Sequence, residues 1–132
     1  MKLETLLKLQ VLYCAMGIAY NIISVITAGG GGRPLSSTPP AAGIGVMIAY
    51  GLFLVPGFLK KITVYRILML VALLVLGYGG VVTHLLNYSR MDLYHSTTAW
   101  ASAVAINLFG AVLNLMAVSK RFTVLFGNNM TV

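Results

Sequence analysis

Residues 67–89 read ILMLVALLVLGYGGVVTHLLNYS and contain no Asp, Glu, Lys or Arg. At about 1.5 Å of rise per residue, roughly 20 residues of helix cross the roughly 30 Å hydrocarbon core of a bilayer. This stretch is long enough to do so. Outward from it the pattern recurs, because residues 9–32, 34–59 and 96–119 are equally free of charge. Hydrocarbon offers peptide groups no hydrogen-bond partner, so such runs must pair their amides internally, as helices. The expectation is an all-α membrane protein, with four transmembrane helices in a compact up-and-down bundle. Its spans fall near 5–27, 41–59, 63–87 and 97–118, within a single integral membrane domain, 1–132.

Composition agrees. Of 132 residues, 59% are hydrophobic and 8% charged, whereas an ordinary soluble domain carries about a quarter charged residues. The length suits one unit and leaves no room for a second core.

Nine basic and two acidic residues give a net charge of +7. Nucleic acid is a poor partner for them, because the cations stand singly or in pairs at the ends of apolar runs and build no stripe with interleaved aromatics. They act better as orientation signals. Lys2, Lys8, Lys60, Lys61, Arg66, Lys120 and Arg121 fall on one side, and Arg33 and Arg90 on the other. That bias places both termini in the cytoplasm, with the protein in a membrane of the bacterial inner-membrane type. Lys60, Lys61, Arg66, Lys120 and Arg121 serve as interface anchors that draw on membrane lipid headgroups. The first run holds Tyr20 and Asn21 and exceeds the usual 7–15-residue apolar region of a signal peptide, so it reads as a retained helix. Cys14 stands alone inside it and has no disulfide partner.

The connector from Gly29 to Pro40 combines four consecutive glycines with three prolines, which suits an exposed external loop. It lacks the preceding strand and the Gly-Lys-Ser/Thr ending of a phosphate-binding loop. Gly45 and Ala49 in the second helix, and Ala99 and Ala103 in the fourth, form small-x-x-x-small pairs that permit close helix approach. Pro56 is expected to kink or end the second helix. In the third, Gly77, Gly80, His84 and Asn87 share one face, and Gly79-Gly80 weakens the helix locally. In the fourth, Asn107, Gly110 and Asn114 continue the face of Ala99 and Ala103. Beyond Lys120-Arg121, Phe122–Gly127 reads as a short interfacial tail. The glycosylation matches at Asn87 and Asn129 carry little weight, the first abutting the membrane and the second falling in the cytoplasm.

No charged residue occupies a mid-membrane position, which argues against a pump built on a buried carboxylate. The available chemistry is neutral: Asn21, Ser24, His84, Asn87, Asn107 and Asn114, as a ligand-binding or interhelical polar cluster. His84 is expected to bridge helices through Asn21, Ser24 or a water, or to hold a polar headgroup. A metal site is not expected, because His95 is the only other histidine and Asp92 the only nearby carboxylate. No cofactor motif is present, and the seven methionines read as flexible packing.

Two function classes follow. One is a small noncatalytic accessory or assembly subunit of a membrane complex, partnered by another membrane protein. The other is a carrier or flippase, acting as a homodimer on a lipidic or weakly polar substrate. An intramembrane enzyme built on Ser24 and His84 is a third, but no motif joins the two.

The topology is testable by thiol labelling in a Cys14→Ala background. Ser37→Cys and Ser89→Cys are expected to react with an impermeant maleimide on intact cells, and Lys61→Cys only after lysis. The converse pattern would invert the orientation.

Overall fold

Each apolar run closes its own backbone hydrogen bonds. In the computed structural model, which describes residues 1–122, the helices are α1 (Leu3–Gly29), α2 (Pro40–Phe58), α3 (Ile62–Leu76), α4 (Thr83–Leu86) and α5 (Thr97–Val118). A π turn, Gly77–Val82, joins α3 to α4, and a 3₁₀ turn carries this third span to Ser89. Among the described residues, four helical segments are long and apolar enough to cross a membrane. The chain is an integral membrane protein, and its spans alternate in direction.

The helices close into a ring in which α1 packs on α2 and α5, and α3 packs on the same two. Large apolar side chains cover the outside, with Leu86 70%, Ile26 69%, Leu52 66% and Leu74 65% exposed. Water would penalise that surface at about 25 cal/mol per Å². Hydrocarbon does not.

The start of α1 and the end of α5 lie at one end of the bundle together with the α2–α3 turn, here called the basic end. The opposite, loop end carries residues 30–39 and 90–96. At the basic end, α2 and α5 close alike. Lys60 and Lys120 adopt positive φ of 56° and 55°, and the next amides reach back to the carbonyls of Pro56 (2.8 Å) and Met116 (3.2 Å). These are Schellman-type closures in which lysine takes the place usually held by glycine. Pro56 therefore lies inside α2, which continues regularly to Phe58 and does not stop at the proline. At the loop end, α1 absorbs Gly29 and ends with Gly31 at φ 83°, while Gly32 N–H donates to the Thr27 carbonyl. The glycine run thus begins as helix and only then becomes loop.

Arg66, expected at headgroup level, turns to the protein. Its Nε and Nη2 donate to the Val118 carbonyl at 3.2 and 2.6 Å, capping the last turn of α5. Lys60, Lys61, Lys120 and Arg121 are exposed at the same end. Phe122 meets Tyr65 edge-on, with centroids 6.2 Å apart, and so folds back on the bundle. The remainder of the expected interfacial tail, and Asn129, lie outside the described residues.

Close packing depends on glycines that each receive a side chain from a neighbouring helix. A Cβ at Gly110 would strike the Tyr13 ring; at Gly80, Asn107; at Gly43, Asn21; at Gly17, Met47; and at Gly57, Leu7 and Tyr65. Gly45 behaves differently. A Cβ there would meet nothing within 4 Å, and both Gly45 and Ala49 are exposed. Within this chain Gly45 meets no neighbouring helix, because α2 turns its Met47–Tyr50–Leu54 face inward, and Ala49 lines the groove between α2 and α3. Ala99 and Ala103, by contrast, are buried.

Gly110→Ala is expected to destabilise the bundle by about 1–3 kcal/mol through overpacking against Tyr13. Gly45→Ala should be neutral or stabilising by up to about 1 kcal/mol from helix propensity. Reversible unfolding in bicelles measures both.

Candidate functional site

Polar side chains inside the bundle form two layers. The first lies toward the basic end and draws on each of the four long helices. Tyr65 of α3 donates its hydroxyl to Gln10 Oε1 of α1 at 2.6 Å, and Gln10 Nε2 donates to Asn114 Oδ1 of α5 at 3.2 Å. Tyr50 of α2 donates to the same Asn114 oxygen at 2.8 Å, and Met69 Sδ lies 3.1 Å from Gln10 Nε2. Gln10 and Asn114 have no exposed surface. The ring of Tyr13 stands edge-on to Tyr50, with centroids 5.1 Å apart, and seals the layer toward the loop end. Asn114 Nδ2 is buried with no acceptor among the described residues. A fully enclosed layer of this kind links helices and offers no route to a ligand.

The second layer lies toward the loop end and surrounds a cavity of about 200 Å³. Asn21 of α1, His84 of α4 and Asn107 of α5 supply its polar walls, with Tyr20 and Ser36 nearer the loop. The two asparagines are held alike. Asn21 Nδ2 donates to the Gly17 carbonyl and Asn107 Nδ2 to the Ala103 carbonyl, each at 2.8 Å and four residues back on its own helix. Each Oδ1 then rests on a glycine of the neighbouring span, Gly43 or Gly80. The π turn matters here, since it places Gly80 against Asn107 while leaving Gly79 exposed at the rim. Such turns are frequent at functional sites.

His84 is buried and its Nδ1 lies 2.7 Å from the hydroxyl of Tyr94, itself buried in the loop-end cap. Its backbone carbonyl accepts the Trp100 indole N–H at 2.8 Å, and Tyr88 packs on Trp100 with ring centroids 5.1 Å apart. The histidine thereby ties α4 to the start of α5. It does not bridge to Asn21 or Ser24.

The six polar residues expected to cluster are divided by the fold. Asn21, His84 and Asn107 line the cavity. Ser24 Oγ accepts the Leu35 amide at 2.8 Å and so fixes the loop that roofs α1 and α2. Asn87 is not among the residues that line the cavity, and its Nδ2 donates to Ser37 Oγ at 3.4 Å. Asn114 belongs to the enclosed layer. The contact between Ser24 and His84 that nucleophilic chemistry would require is not formed.

Gln10, Tyr13 and Tyr50 are residues that sequence reasoning passed over, and Tyr65 and Tyr94, which it places at the two interfaces, are buried as hydrogen-bonding partners of Gln10 and His84. One signal was present: Tyr13 and Tyr50 lie within uncharged runs, not at the ends where interfacial tyrosines gather.

The cavity opens sideways. Val46 of α2 and Val75 of α3 stand at its edge, 39% and 58% exposed on the face that hydrocarbon covers. With Leu76 they also line a second, almost wholly carbon-lined groove of about 180 Å³, which continues between α2 and α3 past Ala49, Phe53 and Val71. A polar recess and an apolar channel therefore share one wall. The chain matches no protein-family model, no curated protein and no solved structure.

Gln10→Leu, which strands the Tyr65 hydroxyl and loosens Asn114, is expected to cost about 1–3 kcal/mol of stability. Asn87→Ala, at an exposed loop-end contact, should change it by less than about 0.5 kcal/mol. Unfolding midpoints in matched micelles distinguish the two layers.

Proposed function

We propose that this chain is a noncatalytic membrane protein that takes an amphipathic molecule sideways from the bilayer, its head in the polar cavity and its hydrocarbon in the α2–α3 groove. One observation carries this reading: the two spaces share Val46, Val75 and Leu76, so a single molecule with a polar and an apolar end fits both. Ligand sites between bundle helices commonly combine apolar walls with a few fixed polar groups. In this reading the chain is a small carrier, or the lipid-sensing part of a larger assembly. With the basic end in the cytoplasm, the cavity faces the outer leaflet of an inner-membrane-type bilayer.

The accessory-subunit reading is favoured by a separate feature. Gly45 is exposed with open space above it, and Ala49 is exposed one turn on beside the groove, which suits the approach of a helix from another membrane protein or from a second copy. The two readings are compatible, because a ligand seated beside that face would be sensed by whatever packs there.

Val75→Trp places an indole at the shared wall, where the side chain is already lipid-exposed and folding tolerates bulk. Native mass spectrometry from polymer-excised nanodiscs is expected to show an amphiphile retained by the wild type and reduced about tenfold in this variant, a loss on the order of 1.4 kcal/mol. Leu108→Trp, on the exposed side of α5, should retain it. Equal retention by Val75→Trp would overturn the lateral site.

A further inference from the structure

The cavity's hydrogen-bonding inventory narrows what its occupant can be. Both asparagines use their amide nitrogens on their own helices, so their remaining capacity is on the carbonyl oxygens, and that of Asn107 already accepts from the Tyr13 hydroxyl at 3.5 Å. His84 supplies the complement. Tyr94 is buried and its hydroxyl has no acceptor among the described residues other than His84 Nδ1, so the hydroxyl proton goes to that nitrogen. This fixes the tautomer. Nδ1 accepts, and Nε2 carries the ring proton as a donor without a protein partner among the described residues.

The cavity is lined by the His84 N–H, the two asparagine carbonyl oxygens and the hydroxyl-bearing Tyr20, Ser36 and Thr38, and none of its lining residues is charged. A phosphate would find no cation to offset the loss of its hydration. A free ammonium would have no counter-ion. Pure hydrocarbon would strand these polar groups. A hydroxyl suits this neutral wall of mixed donors and acceptors, because it can donate to an asparagine oxygen and accept from the histidine N–H. Volume adds a limit: about 200 Å³ falls below the roughly 300–1,000 Å³ of sites for drug-sized ligands.

We infer that the cavity selects a membrane lipid with a small, uncharged, hydroxyl-bearing headgroup, of the acylglycerol or long-chain alcohol kind, in preference to phospholipids. This rests on the lateral-site reading and specifies its ligand.

The test compares photoactivatable analogues of monooleoylglycerol, dioleoylglycerol, oleyl methyl ether and dioleoylphosphatidylglycerol, each labelling the full-length protein in nanodiscs. The hydroxyl lipids are expected to label the α2–α3 wall at least about tenfold more than the phospholipid, with the ether well below them. Asn21→Leu and His84→Phe should each reduce glycerolipid labelling about three- to tenfold, while His84→Gln, which restores an N–H donor, should recover part of it. Size-exclusion profiles and unfolding midpoints identify any variant that fails to fold, and the lipid panel on the wild type needs no variant. Equal labelling by the ether or the anionic lipid, suppressed by Val75→Trp, would overturn the headgroup assignment and leave the site standing. Labelling indifferent to Val75→Trp would overturn the site itself.

Discussion

The bundle depends on Asn114 Oδ1, which accepts from Gln10 at 3.2 Å and from Tyr50 at 2.8 Å while Gln10 accepts from Tyr65. In water, burying apolar faces would drive four helices together. In a bilayer that term is nearly absent, since lipid tails solvate leucine as well as another helix does. What remains is packing and the cost of leaving a polar group unpaired in hydrocarbon, several kcal/mol for each one stranded. The relay turns that cost into specificity: any slip of one helix along the axis breaks a bond on a diagonal of the ring. Rigidity at the basic end follows from it.

Glycine sets how closely the helices approach these polar groups. Tyr13 fits only because Gly110 has no side chain, and Asn107 and Asn21 are admitted by Gly80 and Gly43 in the same way. The small residues are thus complements of particular large ones, placed across an interface from them. This explains why Gly45, which has helical spacing with Ala49 but no large partner opposite, contributes nothing to the fold of the single chain.

The fold was legible in the sequence because the physics behind it is one-dimensional: uncharged length against bilayer thickness decides the spans, and cation placement marks their ends. Helix bounds differed mainly where local chemistry was ambiguous, as at Gly29, which a helix can keep, and at Gly77–Val82, where weakness became a π turn. The site was legible only in part. Asn21, His84 and Asn107 were recognisable as polar groups in apolar runs, but their division from Ser24, Asn87 and Asn114 depends on rotation and depth. No spacing rule says whether an asparagine faces a tyrosine, a backbone or a void. Gln10 shows the reverse difficulty: only its burial among four helices makes it the centre of the bundle.

Asn107 and Asn114 sit seven residues apart on one face of α5, and their unlike fates follow from what opposes each. Across from Asn114 stand Gln10 and Tyr50, long side chains that reach the axis and exclude everything else. Across from Asn107 stands Gly80, in a turn whose extra residue per helical cycle carries the third span past the loop-end half of the bundle. Gly80 lets the amide approach closely and the Tyr13 hydroxyl donates to its oxygen at 3.5 Å, so the open space lies beside this pair, toward Asn21 and His84. The basic end is thus closed by its own side chains, whereas the loop end keeps a cavity of about 200 Å³. In the lateral-site proposal, a polar molecule that enters past Val46 and Val75 from the bilayer would complete it.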